Sequence, residues 1–203
     1  MKSWVFPFMT VVSTIFIPLE VWAEDGEQWN KLSPWKNVQD DIIPVLIIRD
    51  AKVSEKQVDI VEDTINSKEI RNPEITSFLG WNERIKEISK SFGVKVPTLE
   101  IQYKLERTEA IIVYRTSRIN VEGFNGYTNL YYDTNGNIQK AMITIYNAEE
   151  LSKTQLESII RHELGHALGL GHTNVKNDLI QPKSDMNFNA ILLLDLQALT
   201  HIY

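Results

Sequence analysis

His162-Glu163-Leu164-Gly165-His166-Ala167-Leu168-Gly169-Leu170-Gly171-His172 holds three of the four histidines of this 203-residue sequence. Histidines at i and i+4 of a helix project from one face about 40° apart. His162 and His166 can therefore both reach one metal ion. Gly169 is free to take a positive φ, end the helix and turn the chain, so that His172 arrives at the same ion. Three neutral imidazoles and one open position describe a catalytic zinc site rather than a closed structural one. Such an ion lowers the pKa of water bound to it to about 7. Glu163 adjoins the first ligand and is poorly placed to be a ligand itself. It is placed to take a proton from that water and pass it to a leaving amine.

The helix that carries this motif has a clear start. In Leu151-Ser152-Lys153-Thr154-Gln155-Leu156, Ser152 and Gln155 predict a capping box, and Leu151 and Leu156 a hydrophobic staple around it. Leu156, Ile159, Ile160, Leu164, Ala167 and Leu168 supply its buried face.

Further upstream, Ile42 to Ile48 reads as a buried strand. Ser54-Glu55-Lys56-Gln57 fits a capping box, followed by Val58, Val61 and Ile65 at helical spacing. Phe78, Trp81, Ile85, Ile88 and Phe92 recur with helical periodicity, closed by Gly93. These two stretches are two helices, or one long helix with a broken middle. Leu99, Ile101, Tyr103 and Leu105 alternate as in a strand, and Ala110 to Thr116 gives another. Tyr127–Tyr132 and Ile138–Tyr146 are strands joined at Asp133-Thr134-Asn135-Gly136, a tight-hairpin signal. Asp133, Asn135 and Asn137 also resemble the start of a calcium loop. No glutamate stands twelfth from Asp133, so turn chemistry is the simpler reading and calcium is an unsupported possibility. His201, alone in the last apolar stretch, reads as a surface or packing histidine.

Composition bounds the rest. The chain is 43% hydrophobic and 24% charged, which excludes a disordered tail, a fibre and a multi-pass membrane protein. A formal charge of −6 and a pI near 5.3 argue against a nucleic-acid partner. The absence of cysteine removes disulfides, thiolate ligands and a catalytic thiol. Residues 1–23 read as a secretory signal: Lys2, an apolar run from Trp4 to Ile17, and Val21-Trp22-Ala23 before cleavage. Pro18 and Glu20 shorten the run below what a membrane anchor needs. The expected protein is therefore secreted, with no membrane span after signal removal. Residues 24–41 form a short polar arm with Trp29 and Trp35 as isolated aromatics, and residues 42–203 one catalytic domain of α+β class.

His162 to His172 resembles the long zinc motif of the metzincin metalloproteases, and its variant looks most like the matrixin branch, peptidase family M10. The resemblance implies a zincin-type α+β fold: a mixed twisted sheet, an active-site helix and a C-terminal helix. Leu179-Ile180-Gln181-Pro182 sits where matrixins carry a Leu-Met-x-Pro turn, and Leu192 to Tyr203 resembles their final helix. Spacing places Ile180 in the methionine slot beneath the metal, with Met186 the alternative. Phe188 stands where some metzincins carry a tyrosine, and has no oxygen to offer. Without cysteine, latency by a thiolate is excluded, and too few histidines remain for a second, structural zinc. The resemblance further implies an extended peptide or protein substrate lying antiparallel to an edge strand, here Tyr127–Tyr132, with Ile180 to Leu193 shaping the pocket beyond the metal. The expected function is a secreted zinc metalloendopeptidase with one Zn2+ held by His162, His166 and His172 and Glu163 as general base. The alternative is a catalytically silent zinc-containing module of the same fold that holds a peptide or partner. No oligomeric state follows from the sequence.

Overall fold

An interior strand, Ile42–Arg49, is a near-continuous apolar run, the pattern of a strand flanked on both edges within a parallel sheet. The computed structural model describes residues 20–22, 28–30, 33–36, 38–68, 79–176, 178–182 and 190–203. In chain order the elements are β1 (Glu20–Trp22), β2 (Gln28–Asn30), β3 (Ile42–Arg49), α1 (Val58–Asn66), α2 (Trp81–Phe92), β4 (Thr98–Gln102), β5 (Ala110–Arg115), β6 (Gly126–Tyr132), β7 (Ile138–Ile145), α3 (Lys153–Ala167) and α4 (Leu193–Ile202). The first two pair antiparallel as a small ribbon. The main sheet has the order β4-β3-β5-β7-β6, parallel except for β6, which runs antiparallel to β7 along one edge. The result is the expected mixed sheet of an α+β fold, with a histidine-bearing helix and a final helix.

Register carries the core across the sheet. Val45, Ile111, Ala141 and Leu130 form one row and Ile47, Val113, Ile143 and Thr128 the next. Helix α3 packs over β6 and β7 and against α1, while α2 packs against α1, β4 and α4. Trp81 opens α2 fully buried and donates its Nε1–H to the Arg161 carbonyl at 3.0 Å. Burying a ring of that size removes about 200 Å² from water, worth about 5 kcal/mol, and it fastens α2 to the middle of α3. Gly80 precedes it because a Cβ there would lie 2.5 Å from the Ile65 backbone.

Three expectations change, and one left open is decided. The segment 54–57 makes no capping box: Glu55–Gln57 is a 3₁₀ turn, the Ser54 N–H goes to Glu149 and the Gln57 amide donates to Ala148 O at 2.6 Å. Tertiary partners have taken the groups a cap would use. The strand expected through Leu105 stops at Gln102, and Tyr103 is 89% exposed. Of the two arrangements open for the periodic stretches after β3, two separate helices is the one found. Trp35 is no isolated aromatic: it is 2% exposed, bridges to Ile138 and belongs to the core. The Asp133 carboxylate accepts from the Asn135 and Asn137 backbone N–H groups and the Asn137 amide, each within 2.9 Å. It serves as the organiser of an Asx-type turn. Residues 1–19 and Phe78 lie outside the described residues. No helix among the described residues is long and apolar enough to cross a membrane.

Candidate metal centre

Helix α3 begins as its sequence demands. Ser152 Oγ accepts the Gln155 N–H at 3.2 Å and Gln155 Oε1 accepts the Ser152 N–H at 3.0 Å. Leu156, Ile159, Ile160, Leu164 and Ala167 are buried, as expected of the inner face. His162 and His166 follow at helical spacing, and Gly169, at φ +102°, turns the chain after the helix. His172 then returns to the same place.

The three Nε2 atoms converge. His166 Nε2 lies 3.0 Å from His162 Nε2 and 3.1 Å from His172 Nε2. The His166 ring stands nearly perpendicular to both neighbours, at 88° and 87°. The outer nitrogens fix the tautomers. His162 Nδ1 is 2.6 Å from the Leu179 carbonyl and His166 Nδ1 is 2.8 Å from the Leu170 carbonyl. A carbonyl oxygen can only accept, so both Nδ1 atoms carry the hydrogen and both Nε2 atoms present lone pairs. Two lone pairs facing each other at 3.0 Å repel unless a cation lies between them. Tetrahedral zinc with bonds of about 2.0–2.1 Å separates its ligands by about 3.3 Å, close to what is seen. Burial keeps His162 and His166 neutral, moving their pKa values down to about 4 and about 3, and it lowers that of His172 as well. The donor set, its spacing and its protonation state fit one zinc ion, and this is the one such triad among the described residues.

Glu163 points elsewhere. It is 5% exposed, and its Oε2 accepts the Thr128 hydroxyl at 2.6 Å. Burial pushes its pKa up to about 7 against the pull of that hydrogen bond. Gly126, two residues earlier on the same strand face, leaves the space Glu163 occupies: a Cβ there would sit 2.6 Å from Glu163 Oε1. Neither Thr128 nor Gly126 was singled out from the sequence. The usable signal is the period of two in β6, which turns residues 126, 128 and 130 toward α3.

Ile180 is fully buried and its Cδ1 packs directly onto α3 at Gly165, between His162 and His166. Its N–H is held by Asp178 Oδ1 at 2.9 Å, and its carbonyl accepts from Thr173. The segment whose Leu179 carbonyl meets His162 Nδ1 is thus continuous with the buried Ile180. Met186 and Phe188 lie outside the described residues, as do residues 183–189 of the stretch from Ile180 to Leu193. His201 is exposed on α4, away from the triad in sequence. Strand β6, expected to flank an extended substrate, is an edge strand of the sheet among the described residues and packs beside α3.

A family model described as Matrixin matches residues 74–203, more than half of the chain. Among solved structures, an archaemetzincin from Methanopyrus kandleri aligns with TM-score 0.44 and 12% identity, covering 82% of this chain and 98% of that one. High choriolytic enzyme 1, a hatching-enzyme zinc-protease from Oryzias latipes, aligns with TM-score 0.32 and 14% identity, covering 68% of this chain and 50% of that one. Comparison with curated proteins gives no match. The matched residues run from before α2 to the end of α4 and include the whole histidine triad, and on that match the chain belongs to the matrixin family of zinc metalloproteases.

Proposed function

We propose that this protein is a secreted zinc endopeptidase in which His162, His166 and His172 hold the metal and Glu163 moves the proton. The observation that carries the reading is the pair of Nε2 lone pairs 3.0 Å apart on α3, locked in that tautomer by the Leu179 and Leu170 carbonyls. A bound zinc supplies Lewis acidity toward the attacking water and the scissile carbonyl. Glu163 takes a proton from the water onto a carboxylate oxygen and returns it to the leaving amine. Thr128 holds one carboxylate oxygen and leaves Oε1 for the transfer. Main-chain groups of β6 are available to pair with an extended peptide, and Ile180 closes the floor beneath the histidines. Residues 1–23 direct export, with cleavage after Ala23.

Glu163→Gln tests the assignment. The variant keeps its shape and the three imidazoles, so zinc stays bound at one per chain. Positioned proton transfer is worth about 10²–10⁴-fold, so kcat falls at least a hundredfold while KM changes little. Unchanged kcat with zinc in place would falsify the role of Glu163. A parent that binds zinc yet cleaves no member of a diverse peptide library is instead a silent binding module. N-terminal sequencing of the exported protein should begin at Glu24.

A further inference from the structure

The end of α3 is where two of the three histidines are set, and its hydrogen bonds can be accounted for completely. The last carbonyls of a helix have no partner within it. Here Leu164 and Gly165 accept from Leu168 N–H, Gly165 also from Leu170 N–H, and His166 from Gly169 N–H. Ala167 and Leu168 remain. The Ala167 carbonyl accepts the indole Nε1–H of Trp35 at 2.7 Å, and the Leu168 carbonyl accepts the hydroxyl of Tyr203 at 3.1 Å. The Trp35 backbone N–H in turn donates to the Tyr203 hydroxyl oxygen at 3.3 Å. Side chains 168 residues apart in sequence thus meet over one turn of backbone. Burial raises the Tyr203 pKa, so its hydroxyl keeps its proton and remains a donor. The neighbours of both residues press on the same turn: a Cβ on Gly169 would lie 3.0 Å from Ser33 O and 3.6 Å from Ile202 Cγ2.

That turn leads directly to two of the histidines. Leu170 O holds His166 Nδ1, and His172 follows two residues later. We propose that Trp35 and Tyr203 are positioning residues for the metal centre: together they clamp residues 167–170, and through that turn they set the His166 ring and the approach of His172. The inference rests on the zinc reading given above. Groups that orient a metal-bound histidine typically change affinity 10–100-fold when removed, and the clamp acts one step further out.

The test is zinc affinity, measured by competition with a chromogenic chelator, in Tyr203→Phe, Trp35→Phe and the double variant. Tyr203→Phe keeps the ring and deletes only the bridging hydroxyl. A core variant distant from the clamp in sequence, Val45→Ala on β3, serves as a stability-matched control. Each single clamp variant is expected to raise the zinc Kd about tenfold, and the double variant less than the product of the two, since both act on one turn. The visible spectrum of the cobalt(II)-substituted variants should change at full occupancy, while Val45→Ala loses thermal stability with parental Kd and spectrum. Clamp variants that melt earlier but keep zinc Kd within twofold and an unchanged cobalt spectrum overturn the proposal, leaving Trp35 and Tyr203 as packing residues. A parent that holds no zinc overturns the metal reading and the clamp with it.

Discussion

Glu163 owes its position to two residues of β6 that carry no reactive group toward it. Gly126 gives it room and Thr128 gives it a hydrogen bond, both through the inward face of the strand that borders the site. The Thr128 hydroxyl also lies 3.2 Å from the Glu163 main-chain carbonyl. Thr128→Val keeps the shape and removes both contacts. A hydrogen bond to a charged group contributes about 1.5–3 kcal/mol. If even the lower part of that is realised in orienting the carboxylate, kcat falls about tenfold. Zinc content should be unchanged, because no ligand or ligand partner is touched. Steady-state kinetics beside metal analysis decides the matter: loss of zinc in Thr128→Val would mean that the strand supports the metal and not the base.

The two ends of α3 are built differently, and the difference predicts two outcomes. Its start is capped locally by Ser152 and Gln155, so Ser152→Ala should cost about 1 kcal/mol of stability, a few degrees in Tm, with zinc affinity unchanged. Its end depends on Gly169 at φ +102° with Ser33 O close by. Gly169→Ala should cost at least 1–2 kcal/mol and weaken zinc as well; chelator competition and thermal melts on the two variants separate the ends. This contrast also marks what the sequence could reveal. The start was legible because Ser152 and Gln155 act on one another within four positions. So were β5, the β6–β7 hairpin and Gly93, whose signals are equally local. The seal at the far end was not legible, since nothing in the sequence couples Trp35 to Ala167 or Tyr203 to Leu168. The expected cap at Ser54 failed for the same reason: Glu149 and Ala148, nearly a hundred residues away, take the polar groups that a local motif would have used.

At the scale of the molecule, the turn that carries Leu179 and Ile180 is tied to the final helix by two carboxyl groups. Asp178, in the turn that ends in Ile180, is 1% exposed, and Asp195 on α4 is fully buried. Each uses one oxygen to accept a backbone N–H, Asp178 from Ile180 at 2.9 Å and Asp195 from Leu192 at 2.7 Å. The other two, Asp178 Oδ2 and Asp195 Oδ1, are buried without a donor. Arg84 on α2 faces Asp195 and draws its pKa down, but burial and then the charge of Asp178 outweigh it and hold Asp195 well above the ordinary carboxylate range. Burial likewise raises Asp178. Two such groups cannot both ionise there, so the native state retains a proton that the unfolded chain releases near pH 4. With more protons bound in the folded state, stability falls as pH rises from about 4 toward the raised native value, by up to about 1.4 kcal/mol per pH unit. Asp178→Asn replaces the shared proton with a permanent amide donor aimed at Asp195. Its stability relative to the parent should therefore increase as pH rises from about 4 toward the raised native value. Urea unfolding of both proteins at each pH, with zinc held saturating, reads the difference and cancels contributions common to both, including protonation of the ligand histidines. Parallel stability curves across that range would show that the pair holds no extra proton and that the link between α4 and the Leu179–Ile180 turn is insensitive to charge.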